Sequence, residues 1–149
     1  MSRPPVAREN VLDAFESILI DKGERFATMD ATAKAAGVSK GGLLYHFASK
    51  QALEEGLLAR LDLLVQEDLD AIASAKEGVV AYFLRSSTTS GTPVDRAIVA
   101  ATRLAQGGDA AANASLRGIR EQWADLIRPH VRDATALDLV LLVSDGLYY

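Results

Sequence analysis

Wherever the apolar residues of this chain recur regularly, they do so with the period of an α-helix. From Val6 to Lys22, the residues Val11, Ala14, Phe15, Ile18 and Leu19 keep the i, i+3, i+4, i+7, i+8 spacing of one helix face, and Gly23 follows as a terminator. A short helix is expected from about Met29 to Ala36, with Thr28 as N-cap and Gly37 as stop. Ser39 caps a third helix reaching about Phe47, and Ser49 caps a fourth. In the fourth, Leu53, Leu57, Leu61, Leu64/Val65, Leu69 and Ile72 hold one apolar face for about six turns, roughly 35 Å. A helix of that length does not fit inside a fifty-residue module, so it leaves one domain and enters the next. Four more helices are expected, over about Lys76–Ser86, Pro93–Gln106, Asp109–Arg128 and Thr135 to the end. The Ser/Thr/Gly-rich stretch from Ser86 to Pro93 reads as a loop. There is no alternating strand pattern and no Asn-Gly hairpin signal, so the fold class is all-α. The expected organisation is a domain over residues 1–50 and a second helical domain over 51–149.

A chain of 149 residues can bury a core without a disulfide or metal staple, and this one has no cysteine to make either from thiols. Cysteine nucleophiles are excluded with them. The histidines are His46 and His130, and there is no phosphate loop and no His-Glu-x-x-His. No catalytic residue, metal site or cofactor is assigned, and the chain is not expected to be an enzyme. The longest apolar run, Leu139 to Val143, is far short of the roughly 18 residues a membrane span needs. Met1-Ser2-Arg3-Pro4-Pro5 is followed by Glu9 and Asp13, which interrupt any signal-peptide core. The expectation is a soluble, cytoplasmic protein. Residues 1–50 carry seven basic against six acidic side chains, whereas residues 51–149 carry nine against fourteen. An acidic whole with a locally basic end is compatible with anion binding confined to that end.

The chemistry is concentrated between Thr28 and Leu53: helix, tight glycine turn, short helix, capped restart. Ala33, Ala36, Val38 and Leu43 offer small apolar surface where two short helices can cross closely. The other side of the second helix carries Ser39, Lys40, Gly42, Tyr45 and His46. Gly41 and Gly42 each cost roughly 1 kcal/mol of helix propensity, which is explicable if backbone must approach a bulky partner. Helix N-termini at Thr28, Ser39 and Ser49 can offer N–H groups to phosphate. Such a unit can enter a DNA major groove while flanking cations hold the backbone.

Residues 7–53 resemble the N-terminal domain of the tetracycline-repressor (TetR) family of bacterial transcription regulators. The resemblance is carried by Ala-Gly-Val-Ser-Lys-Gly at 36–41, Leu-Tyr-His-Phe at 44–47 and Ser-Lys-Gln-Ala-Leu at 49–53, after a first helix that ends in glycine. The last block parallels the family's Ser-Lys-Glu-Ala-Leu. Many members have Gly-Thr-Leu-Tyr where this chain has Gly41-Gly42-Leu43-Leu44, so Gly42 lacks a hydroxyl often placed near phosphate. The Gly-Leu-aliphatic-Tyr-His-Phe form resembles a subgroup that includes multidrug-sensing repressors. In that context Lys40 and Lys50 are read as phosphate contacts rather than merely solvated lysines, and Tyr45 as a contact to phosphate or base edge. His46 is read as packing or as a second phosphate contact. Thr28 and Ser39 are caps that can also touch phosphate, Gly41 and Gly42 allow close approach, and Phe47 is core.

The resemblance also implies a C-terminal domain that binds a small inducer in a pocket lined by aromatic residues. Tyr82, Phe83 and Trp123, the single tryptophan, are candidates there, although ordinary core packing is the favoured reading for all three. Asp145 interrupts an apolar segment and either pairs with an arginine, faces solvent or reads a cationic ligand. The final helix is apolar nearly all round and must be buried by something. In the family the last helices form a symmetric dimer interface, and members continue with a further helix, so that either the chain is incomplete at its C-terminus or that element is absent. The reading is a homodimeric, sequence-specific DNA-binding regulator on a near-palindromic double-stranded operator, a repressor released by a small molecule, with no membrane partner. The alternative is a helical protein-interaction or small-molecule-binding module whose helix-turn-helix is scaffold only.

Overall fold

The computed structural model describes residues 4–148, with side chains from Val6 onward; Met1 to Arg3 and Tyr149, used in the reading above, lie outside the described residues. Among the described residues eight α-helices follow in order: α1 (Pro4–Lys22), α2 (Met29–Ala36), α3 (Lys40–His46), α4 (Lys50–Ala73), α5 (Val79–Ser86), α6 (Pro93–Gln106), α7 (Ala110–Ile127) and α8 (Ala134–Tyr148). Two 3-10 turns, Glu24–Phe26 and Arg128–His130, complete the regular structure, and no strand occurs among the described residues. None of these helices is long and apolar enough to cross a membrane.

The helix boundaries follow from local chemistry. The Thr28 hydroxyl accepts from Ala31 N at 3.1 Å, that of Ser39 from Gly42 N at 3.0 Å, and that of Ser49 from Ala52 N at 3.1 Å. Each cap therefore satisfies one of its helix's orphan donors. Gly37 closes α2 in the left-handed region at φ 68°, letting Val38 N reach back to Ala33 O at 3.0 Å. Thr92 and Asp95 form a reciprocal capping box around Pro93 at the start of α6. One expected boundary is corrected. The fifth helix begins at Val79 rather than near Lys76, because Gly78 stands at φ 99°, a conformation no helix admits.

The core has three parts, and α4 runs through all of them. Its first turns add Leu53 and Leu57 to a cluster built on Val11, Leu12, Phe15 and Leu19 of α1, with Leu43 and Phe47 around α3. That cluster also takes Ala100 and Leu104 from α6 and Ala112 from α7, so the first fifty residues do not close their core alone. The middle of α4 packs Leu61 and Val65 on Ala97 and Ala101 of α6 and Ile119 of α7. Its end places Ile72 with Val79 and Phe83 of α5, Ile127 of α7 and Leu137 and Leu141 of α8. Helix α8 buries only that one face. Leu139, Leu142, Val143 and Leu147 are exposed on the rest of it.

Candidate functional site

The first candidate surface is α3. Leu43 is fully buried and Phe47, just past the helix, is 3% exposed, so these two residues fix the helix against α1 and α4. The same anchoring turns Lys40, Gly41, Leu44 and Tyr45 outward. Tyr45 is 81% exposed, and its ring meets His46 edge-on with centroids 5.1 Å apart. Leu44 is also exposed, an apolar side chain on this face that the sequence reading did not single out. The close approach of Phe47 and α1 to α4 depends on Gly56. A Cβ there would lie 2.8 Å from the Phe47 ring and 3.3 Å from Leu12 Cδ2.

The expected phosphate-contacting lysines have protein partners. Lys40 Nζ lies 3.3 Å from Asp30 Oδ1, both side chains being exposed. Lys50 is drawn further in: its ammonium pairs with the Glu24 carboxylate and donates to Glu24 O at 3.3 Å. Lys50 thus ties the 3-10 turn after α1 to the start of α4. Exposed Lys34 on α2 adds a cation to the same end of the molecule.

The second candidate is a cavity of about 690 Å³ between α4, α5, α6, α7 and α8, and Tyr82, Phe83, Trp123 and Asp145 all line it. Trp123 stacks obliquely on Phe83 at 5.9 Å and donates its Nε1–H to Asp68 Oδ2 at 3.0 Å. Asp145 receives Arg120 on both oxygens, at 2.9 and 2.7 Å, so of its three sequence readings the arginine pair is the observed one. Arg85 sits over the Tyr82 ring at 5.0 Å and is held by Glu77. Burial pushes the Asp68 carboxyl above its ordinary range; the Trp123 hydrogen bond works the other way, and nearby Asp95 adds to the rise. Asp68 and Asp95 were not among the sequence candidates. For Asp68 there was a signal: it stands between Val65 and Ile72 at i+3 and i−4, on the apolar stripe of α4.

Between the two candidate sites lies a third feature. Glu16 of α1 is 6% exposed, a buried carboxylate at the edge of the apolar face that Leu12, Phe15 and Leu19 form. Arg96 of α6 donates Nε to Glu16 Oε1 at 3.0 Å and Nη2 to Ser17 Oγ at 3.0 Å. From α4, Arg60 Nη1 lies 3.6 Å from Glu16 Oε2 and 2.8 Å from Asp13 Oδ1, while Nη2 reaches Glu9 Oε2 at 2.6 Å. Burial opposes the Arg60 charge, but hydrogen bonds to Glu9 and Asp13 outweigh it and hold the guanidinium above its ordinary value. Arg96 is adjacent to Asp95, which lines the cavity, so one end of α6 touches the cavity and grips α1.

Comparison with known proteins agrees with this geometry. The family described as bacterial regulatory proteins, tetR family, matches residues 11–57, from α1 into α4. The HTH-type transcriptional repressor KstR2 of Mycolicibacterium smegmatis is 34% identical over 89 residues, which cover 57% of this chain and 43% of that protein. The chain therefore aligns with less than half the length of that relative. A crystal structure from Rhodococcus sp., assigned to the TetR-family transcriptional regulators, superposes with a TM-score of 0.63 at 22% identity, covering 95% of this chain and 85% of the other. Residues 11–57 thus match the N-terminal domain of the tetR family, on a chain that shares its all-helical fold with a structure assigned to that family.

Proposed function

We propose that this protein is a homodimeric, sequence-specific DNA-binding transcriptional repressor, released from its operator by a small molecule held in the cavity. The observation that carries the reading is the outward face of α3, where Tyr45 is 81% exposed on a helix whose other side is fixed by buried Leu43 and Phe47. An exposed aromatic on a rigidly anchored short helix suits insertion into a major groove. Tyr45 and His46 are the base-edge and phosphate contacts in this reading, with Gly41 and Gly42 allowing close approach. Thr28, Ser39, Lys40 and Lys50 hold the phosphate backbone, Lys50 from its position against Glu24. Residues 1–50 serve as the reading head and 51–149 as the ligand-binding and dimerising part. The Gly-Leu-aliphatic-Tyr-His-Phe recognition helix favours the multidrug-sensing subgroup within this reading. A second copy covers the exposed Leu139, Leu142, Val143 and Leu147 of α8.

Release requires that the ligand prefer one disposition of the heads over the other. Helix α6 supplies a physical connection, since it contributes to the cavity at Asp95 and to the α1 core at Ala100 and Leu104. The test is fluorescence anisotropy with duplexes tiled upstream of the protein's own gene, at two salt concentrations, for the parent and Tyr45→Ala. Salt-sensitive binding to one tile, lost in the variant, is expected. The pairing of both lysines with acids favours a second reading, in which the helix-turn-helix is scaffold. Uniform weak binding that Tyr45→Ala leaves unchanged would select it.

A further inference from the structure

The cavity is large enough for a drug-sized molecule, and its chemistry narrows what that molecule is. Its two lining cations are already neutralised, Arg85 by Glu77 and Arg120 by Asp145. Asp95 is occupied as the reciprocal cap of α6, accepting from Thr92 N at 3.2 Å. Asp68 is different. It projects from the apolar stripe of α4, accepts one hydrogen bond from the uncharged Trp123 indole, and enters no ion pair among the described residues. A half-buried carboxylate without a counter-charge, at the N–H edge of the Trp123 indole in a cavity that Phe83 and Tyr82 also line, is an incomplete arrangement. A cation completes it by pairing with the carboxylate, while the apolar wall receives the rest of the molecule.

Building on the ligand-released reading above, we propose that the cavity recognises an organic cation, with the positive centre against Asp68 and an apolar body among Trp123, Phe83 and Tyr82. The upward displacement of the Asp68 carboxyl by burial is what a missing counter-charge produces. Anionic ligands find no unpaired cation among the described residues of the wall. Neutral ones can donate a hydrogen bond at most and leave Asp68 without a counter-charge.

The test uses three probes of similar shape and different charge: tetraphenylphosphonium, tetraphenylborate and neutral triphenylmethanol. Trp123 is the single tryptophan, so its emission reports occupancy directly. Tetraphenylphosphonium is expected to bind about tenfold more tightly than either analogue, or better. Asp68→Asn should abolish that preference. Asp62→Asn, with the same change of net charge at an exposed position of α4 away from the cavity, should keep it. Equal binding of the three probes to the parent, no binding of any, or a preference that survives Asp68→Asn would overturn the proposal. The parent comparison alone suffices if Asp68→Asn does not fold. The regulator reading is judged separately, by operator anisotropy. Cation preference with no effect of the bound cation on operator affinity would refute release and leave cation recognition standing. Sequence-specific operator binding without cation preference would do the reverse.

Discussion

Glu16→Gln is the most informative single change, because it removes a charge from the junction of α1, α4 and α6 and keeps the shape. The carboxylate itself is almost fully buried, whereas the Arg96 side chain is 42% exposed and that of Arg60 17%. An exposed ion pair contributes about 0.2–1 kcal/mol, and breaking a buried one costs about 3–5 kcal/mol. One buried partner between a half-open and a mostly covered arginine places the loss between these limits, at about 2 kcal/mol. For a chain of this size that is roughly 4–8 °C in Tm. The loss should appear in urea unfolding as a lower midpoint with an unchanged slope, since the buried surface is the same. Arg96→Met keeps the aliphatic stem of the arginine and removes its charge. Combined with Glu16→Gln in a double-mutant cycle, it should give a coupling of about 1–2 kcal/mol. Additive effects, or a loss below about 0.5 kcal/mol for Glu16→Gln, would refute the view that this carboxylate joins α6 to α1. Repeating the cycle on operator affinity, with and without tetraphenylphosphonium, asks whether the same pair carries ligand release.

Gly56→Ala adds a methyl against the rigid Phe47 ring and the buried Leu12, and overpacking of about 1–3 kcal/mol should exceed the helix-propensity gain of about 1 kcal/mol. Thermal unfolding should show a lower Tm; a more stable variant would refute the close-approach argument. For Asp68 the sign is set by its raised folded pKa: the folded chain holds the proton more tightly, so its stability is present below the ordinary 3.8 and is lost as pH rises through the elevated value. Asp68→Asn should therefore gain on the parent in urea unfolding as pH climbs from acid through that window, and a pH-independent difference would count against it. Leu142→Glu changes a side chain that is 61% exposed, so the folded chain should tolerate it while sedimentation shows monomers and operator affinity falls. A parent that already sediments as a monomer would end the proposed dimer.

Much of the fold is legible because its punctuation is local. Thr28, Ser39, Ser49, Thr92 and Asp109 cap helices through their own side chains, and each fulfils that role within three residues of sequence. The start of α5 is less accessible: Gly78 can be read as a break only once its positive φ is known, and Lys76 and Glu77 are ordinary helix formers. The candidate site divides along the same line. Tyr45, Leu43 and Phe47 take their orientation from one short helix, so their exposure or burial follows from spacing. The partners of Lys50 and Asp145 come from 26 and 25 residues away, and no local pattern announces them.

The positions that resist the local reading share one property. Gly56 and Asp68 on α4 each stand on a helical stripe where apolar bulk is expected, and Glu16 on α1 is a buried charge at the edge of one. A violation of the period is costly unless the neighbouring elements compensate it, and the compensation differs at each. At Glu16 it is two arginines from other helices, and at Gly56 it is an aromatic ring filling the missing volume. At Asp68 the partner among the described residues is a neutral indole N–H, so the compensation is partial. The first two exceptions are thus complete within the chain and bind its helices together. The third is left open into a cavity, and in the proposed reading the charge of a bound cation is what completes it.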